Sequence, residues 1–290
     1  MEWEVLYHYT SLDAFVNIIK DREFRLFDIT KSNDPLEGTY MIQALEESYV
    51  RLYRSEKITR DEYMLAHRAF FQFNEDIYSH KRLKDFYAAA SFCIPHHELT
   101  MLRSYADNGK GVALGVPIKV LEGLAEKLSG VKFKKVEYLS PKEIAEYADK
   151  FWIDHIKKYK KIIKNINEET LSPFAEEIKT CYEAGYFLKH DVNKDEEEYR
   201  LLYHYDDLFY SYLPGLGENV PNEIDFISGK GILKAYYKIP VGTEDDGLFY
   251  FSDILSGPLC GASSNELCAF LRRYGIDRCN VRENSWVQMR

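Results

Sequence analysis

Apolar and polar positions alternate almost from the start of the chain. In Val5-Leu6-Tyr7-His8-Tyr9-Thr10 the β-branched and aromatic types dominate, which predicts a strand. Leu12, Phe15, Val16 and Ile19 then recur at helical spacing. Thr10 or Ser11 can cap that helix, and Asp13 stands three residues past Thr10 as in a capping box. His8 and Tyr9 therefore fall where a strand ends and a helix begins. Free backbone N–H groups and the helix dipole favour an anionic ligand at such a junction. The same six residues also fit a half-buried edge-strand histidine bonded to backbone.

The pattern continues with a short strand over Phe24–Ile29. Asp34 as cap, Pro35 at the first helical position and Glu37 three residues on predict a helix to about Arg54. Another helix starts near Thr59, with Glu62 closing its box. Residues 86–94 read as a buried strand, and a helical piece through Leu99, Leu102 and Tyr105 follows. Asn108-Gly109 signals a turn, and 111–116 the next strand. Residues 132–139 read as a strand, Ser140-Pro141-Lys142-Glu143 as the start of a long helix, and Ser172-Pro173 as the start of another. Strands are expected over 197–205 and in parts of 232–240 and 247–255. A final helix near 265–273 leads to a strand around Cys279–Val281. This mixture has no regular βαβ rhythm, so the expected class is α+β: one domain over 1–290, with a helical insertion at about 140–190.

Composition narrows the function classes. The 290 residues carry a net charge of −9 and are 46% hydrophobic, which suits a folded core and argues against a general nucleic-acid coat. No run of about 18 apolar residues occurs, so no membrane span is expected. The N-terminus lacks the basic-then-apolar order of a signal peptide. Five scattered cysteines without a CxxC pair point to a reducing cytoplasm and away from zinc. Lys157–Lys161 is a basic helix face, read as solvated surface, with a phosphate or RNA contact as the other reading.

A second constellation is sharper. Lys189-His190 precedes Asp195-Glu196-Glu197-Glu198-Tyr199-Arg200. On a strand, Glu196 and Glu198 share one face with Arg200. Two carboxylates side by side repel unless a cation intervenes, and Arg200 can be that cation. An acidic loop leading into a strand is the plainer alternative.

Read in order, LYHYTS, SNDPLEG, SFCIP, MLRSYADNGKGVAL, KH with EEEYR, and the late Gly257-Pro258 resemble the bacterial family catalogued as domain of unknown function 2971, over about residues 6–290. That family carries a Met-Trp pair where this chain has Met101-Leu102, so a ligand contact made by the tryptophan would be altered here. The entry strand, tyrosine-histidine-x-threonine, also resembles ADP-ribosyltransferase folds, among them toxins that modify DNA. This second resemblance implies a mixed or split β-sheet and NAD as substrate, with no metal. A toxin or phage-defence effector is among the roles it implies. Carried onto this chain, it gives His8 the ribose that such folds hold there, the adenosine ribose of NAD, with Tyr9 and Thr10 beside it. Tyr105 or Phe92 stacks on nicotinamide, Ser91 supports the site, and Arg200 stands beside the acids. Glu198 is catalytic and Glu196 is its partner toward an acceptor, whose identity (protein, nucleic acid or small molecule) stays open.

The chemistry suits these residue types. Cleavage of the nicotinamide–ribose bond passes through an oxocarbenium-like state, which a carboxylate stabilises. A second carboxylate can take the acceptor's proton. Two other readings stand beside this one. The first is a non-catalytic nucleotide- or partner-binding module. The second is a nuclease using Glu196, Glu198 and His190 with a divalent metal.

Overall fold

β1 (Val5–Thr10) forms where the alternation places it, with Leu6 and His8 on one face and Tyr7 and Tyr9 on the other. It leads into α1 (Leu12–Asp21). Ser11, not Thr10, caps this helix: its Oγ accepts from the Ala14 N–H at 3.2 Å. The structure, a computed structural model, describes residues 4–32, 39–78, 86–95, 98–205, 223–229, 231–246 and 249–283.

In chain order there follow β2 (Glu23–Asp28), α2 (Tyr40–Arg54), α3 (Arg60–Tyr78), β3 (Phe86–Cys93), α4 (Glu98–Tyr105), β4 (Val112–Pro117), α5 (Ile118–Lys127), β5 (Val131–Lys135), β6 (Glu137–Leu139), α6 (Pro141–Tyr159) and α7 (Glu168–Ala184). Then come β7 (Leu188–His190), β8 (Glu198–Tyr205), β9 (Ile224–Gly229), β10 (Ile232–Pro240), β11 (Asp253–Ser256), α8 (Ser264–Arg273) and β12 (Asn280–Glu283). The class is α+β with a mixed sheet.

Local chemistry explains most boundaries and several departures. Ser140 and Glu143 form the expected reciprocal box at α6, and Thr59 and Glu62 do so at α3. The start at Asp34 lies outside the described residues, as do 247–248 of the expected strand 247–255. Ser172-Pro173 does not open α7. Asn167 and Thr170 cap each other one and a half turns earlier, which leaves Pro173 inside the helix. The stretch 132–139 is two strands with different partners: β5 pairs with β8, and β6 with β7.

Ten strands form one sheet, and β3 is its branch point. Along one edge β3 pairs antiparallel with β8, from Phe86↔Tyr205 to Cys93↔Glu198. The other edge is shared. β1 meets it at Tyr7↔Cys93, and β2 meets it at Phe27↔Ala89 and Asp28↔Ala88. Between these contacts the two strands part, and among the described residues no ladder pair falls on Ala90–Phe92 at this edge. β4, β11 and β12 continue outward from β1, while β10 and β9 continue from β2.

The largest apolar cluster covers the Leu6 face of the sheet, with residues of α1, α5 and α8 packed on it. A second cluster joins α2, α3, α6 and α7 around Trp152, whose indole N–H donates to the Leu45 carbonyl at 2.8 Å. The 140–190 helices thus share a core with the helices of 40–78. A small cluster around Tyr7, Tyr9, Met101 and Leu102 docks α4 on the other face of β1. The turn after α4 is held close: a Cβ at Gly111 would stand 2.1 Å from the Thr10 carbonyl oxygen. Among the described residues no helix is long and apolar enough to cross a membrane.

Candidate active site

The gap between β1 and β2 opens into a cavity of about 210 Å³. β1 contributes His8 and Tyr9, and β2 contributes Arg25 and Phe27. Ser91 and Cys93 come from β3, and Tyr105 from α4. Lys189, Glu196 and Glu198 close the far side. Residues expected to act together, 190 positions apart, therefore line one space.

His8 fills the break in the ladder. Its Nδ1 lies 3.0 Å from the Ser91 carbonyl oxygen, on the stretch of β3 that neither β1 nor β2 pairs. A carbonyl only accepts, so Nδ1 carries the proton. Removal from water lowers the pKa of His8 below its ordinary value, against a smaller opposite pull from that carbonyl. The ring is therefore neutral at pH 7, and Nε2 is left with a lone pair. His8 can accept a hydrogen bond from a ligand hydroxyl through Nε2.

Glu198 is only 1% exposed. Its Oε1 accepts from Ser91 Oγ at 2.6 Å and from Arg200 Nε at 2.9 Å, with Arg200 Nη2 at 2.8 Å. Its Oε2 lies 2.7 Å from Lys189 Nζ. Burial alone would raise the pKa, but Arg200 and Lys189 outweigh it and the carboxyl is held below its ordinary value. Behind it, Arg200 also donates to the Tyr186 carbonyl. The backbone N–H of Glu198 donates to the Tyr138 hydroxyl at 2.9 Å.

Glu196 does not share a strand face with Glu198. It ends a short 3-10 turn, Asp191–Glu196, and Glu197 follows in the left-handed region at φ 42°. The strand begins only at Glu198. The cation between the two acids is Lys189, 2.7 Å from Glu196 Oε2 and 2.7 Å from Glu198 Oε2. Glu196 Oε1 accepts from the Tyr105 hydroxyl at 2.5 Å. Burial, then the bond to this carboxylate, push the Tyr105 phenol up.

Three expected ligand contacts stand outside the cavity lining. Phe92 is fully buried on the opposite face of β3, against His8 and Phe24, because strand alternation turns it to the core. Thr10 closes β1 against the turn at Gly111. Arg200 sits behind Glu198 and braces it. Leu102, where the family pattern has tryptophan, is buried under β1, while its neighbour Met101 reaches the cavity.

Sequence reasoning left Arg25, Phe27, Cys93 and Lys189 out of the site. Arg25 and Phe27 were visible only as the exposed-face residues of a short strand. Three buried polar atoms of residues lining this cavity have no hydrogen-bond partner among the described residues: the Tyr9 hydroxyl, Arg25 Nε and Glu198 Oε2, the last in ion-pair contact with Lys189. The Tyr9 phenol is pushed up mainly by burial. Buried polar atoms left open call for an explanation, and a bound ligand is one that the cavity allows.

No group of three or more His, Cys, Asp or Glu among the described residues could hold a metal ion. His190, the histidine of the nuclease alternative, turns to Asp191 at 2.7 Å.

A family model described as Protein of unknown function (DUF2971) matches residues 101–201. The likeness thus covers less than half of the chain, against the 6–290 expected. It spans Tyr105, Lys189, Glu196, Glu198 and Arg200 and leaves out the β1 wall. No curated protein matches the chain, and no solved structure does.

Proposed function

We propose that the cleft takes NAD and breaks its nicotinamide–ribose bond, passing ADP-ribose to an acceptor or to water. The observation that supports this most is the convergence of His8 and Glu198 on one cavity at the break in the sheet. His8 Nε2 accepts from a ribose hydroxyl, and the open Tyr9 hydroxyl and Arg25 Nε offer further polar contacts. In this reading Tyr105, 41% exposed and lining the cavity, stacks on nicotinamide.

Nicotinamide leaves with the electron pair of the broken bond. The anionic Glu198 stabilises the positive charge that grows on the ribose in a space shielded from water. The acceptor's oxygen or nitrogen bonds to the ribose carbon, and its proton passes to Glu196. About 210 Å³ is less than the roughly 300–1,000 Å³ of typical ligand pockets. The cavity accordingly takes the nicotinamide riboside end, and the diphosphate and adenosine extend outside it.

One observation favours a second reading, a non-catalytic nucleotide-binding module. Both carboxylate oxygens of Glu198 already meet partners inside the protein, as in a purely structural ion cluster. The two readings separate on incubation of the purified protein with NAD, with and without cell extract, followed by chromatography for free nicotinamide. The enzyme reading expects nicotinamide in at least one arm. Saturable NAD binding with no nicotinamide in any arm selects the binding module.

A further inference from the structure

We propose that Lys189 is a positioning residue of this cleft, holding Glu198 ionised and aimed at the ligand. The proposal rests on the reading of the cleft as a ribosyl-transfer site. Sequence and local structure place Lys189 well for it. The residue lies in the middle of β7, a three-residue strand pinned in parallel register to β6 at Tyr138↔Lys189. Tyr138, its partner there, also accepts from the backbone N–H of Glu198. Two neighbouring residues of this small sheet thus hold the two ends of Glu198: one its backbone, the other its carboxylate.

The charges around Glu198 are few. Arg200 lies on its own strand, and Lys189 on β7. Glu196 stands in the turn between β7 and β8, and Cys93 and Ser91 face it from β3. Tyr105 on α4 reaches Glu196, and Tyr138 closes the β6 side. Arg200 and Ser91 both act on Oε1. Lys189 stands at Oε2, 2.7 Å away, on the other side of the carboxylate. Lys189 is itself only 8% exposed. It costs free energy to bury an ammonium, and the two acids offset that cost only because both stand at 2.7 Å.

Removing this ammonium leaves Glu198 beside Glu196 with one cation fewer. A proton is then the cheapest replacement. The ammonium also holds Oε2, as Ser91 and Arg200 hold Oε1.

The test compares Lys189→Met and Lys189→Arg with the wild type in two ways. The first follows the Glu198 carboxyl by carbon-13 NMR across pH in the ligand-free protein, assigned with Glu198→Gln. The second follows nicotinamide release from NAD across pH. In Lys189→Met the carboxyl should titrate roughly 1–3 pH units higher than in the wild type, the span expected for losing an adjacent opposite charge. The acid limb of the rate profile should move up with it, and kcat should fall more than KM rises. Lys189→Arg should restore both positions. An unmoved carboxyl titration in a folded Lys189→Met protein overturns the proposal. If Lys189→Met does not fold, the Arg variant decides: its charge sits on a longer, planar group, so a wild-type titration with a lowered kcat supports positioning. A wild-type titration with wild-type kinetics overturns it. Absence of nicotinamide from the wild type would refute the enzyme reading. The titration arm would still show whether Lys189 sets the state of Glu198.

Discussion

Two regions of the molecule are held together in opposite ways. The helix cluster of α2, α3, α6 and α7 is built of leucine, isoleucine, phenylalanine and Trp152 packed on one another. The cleft at the break in the sheet buries Glu198, Arg200 and Lys189, which are stable there only through one another. Apolar packing tolerates the loss of one partner in proportion to the volume removed. An ion cluster does not, since each member is the reason its neighbour can be buried. The helix layer is therefore built for stability. The cleft carries a cost in stability, which the proposed ligand site would account for.

The sharpest break in this comparison comes from one large substitution in each region. Arg200→Met leaves the Glu198 carboxylate buried without its main partner and should cost about 3–5 kcal/mol. Trp152→Ala should cost a similar ~3–5 kcal/mol through the cavity it leaves. Urea unfolding separates the causes by pH. The Trp152 loss should be independent of pH. The Arg200 loss should shrink in acid, because protonated Glu198 no longer needs the guanidinium.

The next effect is smaller. Ser91→Ala removes a hydrogen bond to the Glu198 carboxylate and should cost about 1.5–3 kcal/mol, read by the same unfolding curves. Glu198 also gives the wild type an acid limb. Its folded pKa is below the ordinary 4.5, so its contribution is complete above that value. The contribution is lost as pH falls through the folded pKa.

His8 acts in a higher window. Its folded pKa is lower than the ordinary 6.5, so the unfolded chain takes up a proton first as pH falls. The stability tied to His8 is full above about 6.5 and is lost as pH drops toward the folded value. His8→Asn offers Ser91 an amide donor and has no titrating ring. Thermal unfolding of this variant between pH 7 and 5 should be flatter than that of the wild type, and NAD binding should be weaker for want of Nε2. The smallest effect belongs to the helix layer. Ser140→Ala removes one half of the capping box and should lower stability by about 1 kcal/mol at any pH.

What the sequence revealed follows the same division. Helices and caps depend on neighbours within four residues, so Ser140 with Glu143 and Thr59 with Glu62 could be read directly. Strand alternation placed His8 and Glu198 on strands, and the cavity lining brings both together. The break in the sheet could not be read. It depends on which strands reach β3 and at which residues, and Tyr7↔Cys93 and Phe27↔Ala89 are pairings across distant parts of the chain. That is why Arg25 and Phe27 went unnoticed, and why Phe92 was expected on the wrong face. Glu196 was misplaced for a local reason. A run of three glutamates reads as a strand entry, yet Glu197 takes a left-handed backbone that ends the turn. Lys189 was seen in the sequence, but a two-residue motif does not show that its ammonium reaches two acids.

The central claim is that His8 and Glu198 serve one ligand in different ways, one binding it and the other acting on the bond that breaks. The most direct measurement is kcat and KM for nicotinamide release from NAD by the wild type, His8→Ala and Glu198→Gln, each first shown to be folded. The account predicts a raised KM with kcat nearly kept for His8→Ala. For Glu198→Gln it predicts a kcat lower by about 10²–10³, the scale of losing one preorganised charge contact in a transition state. Wild-type turnover by Glu198→Gln would contradict it.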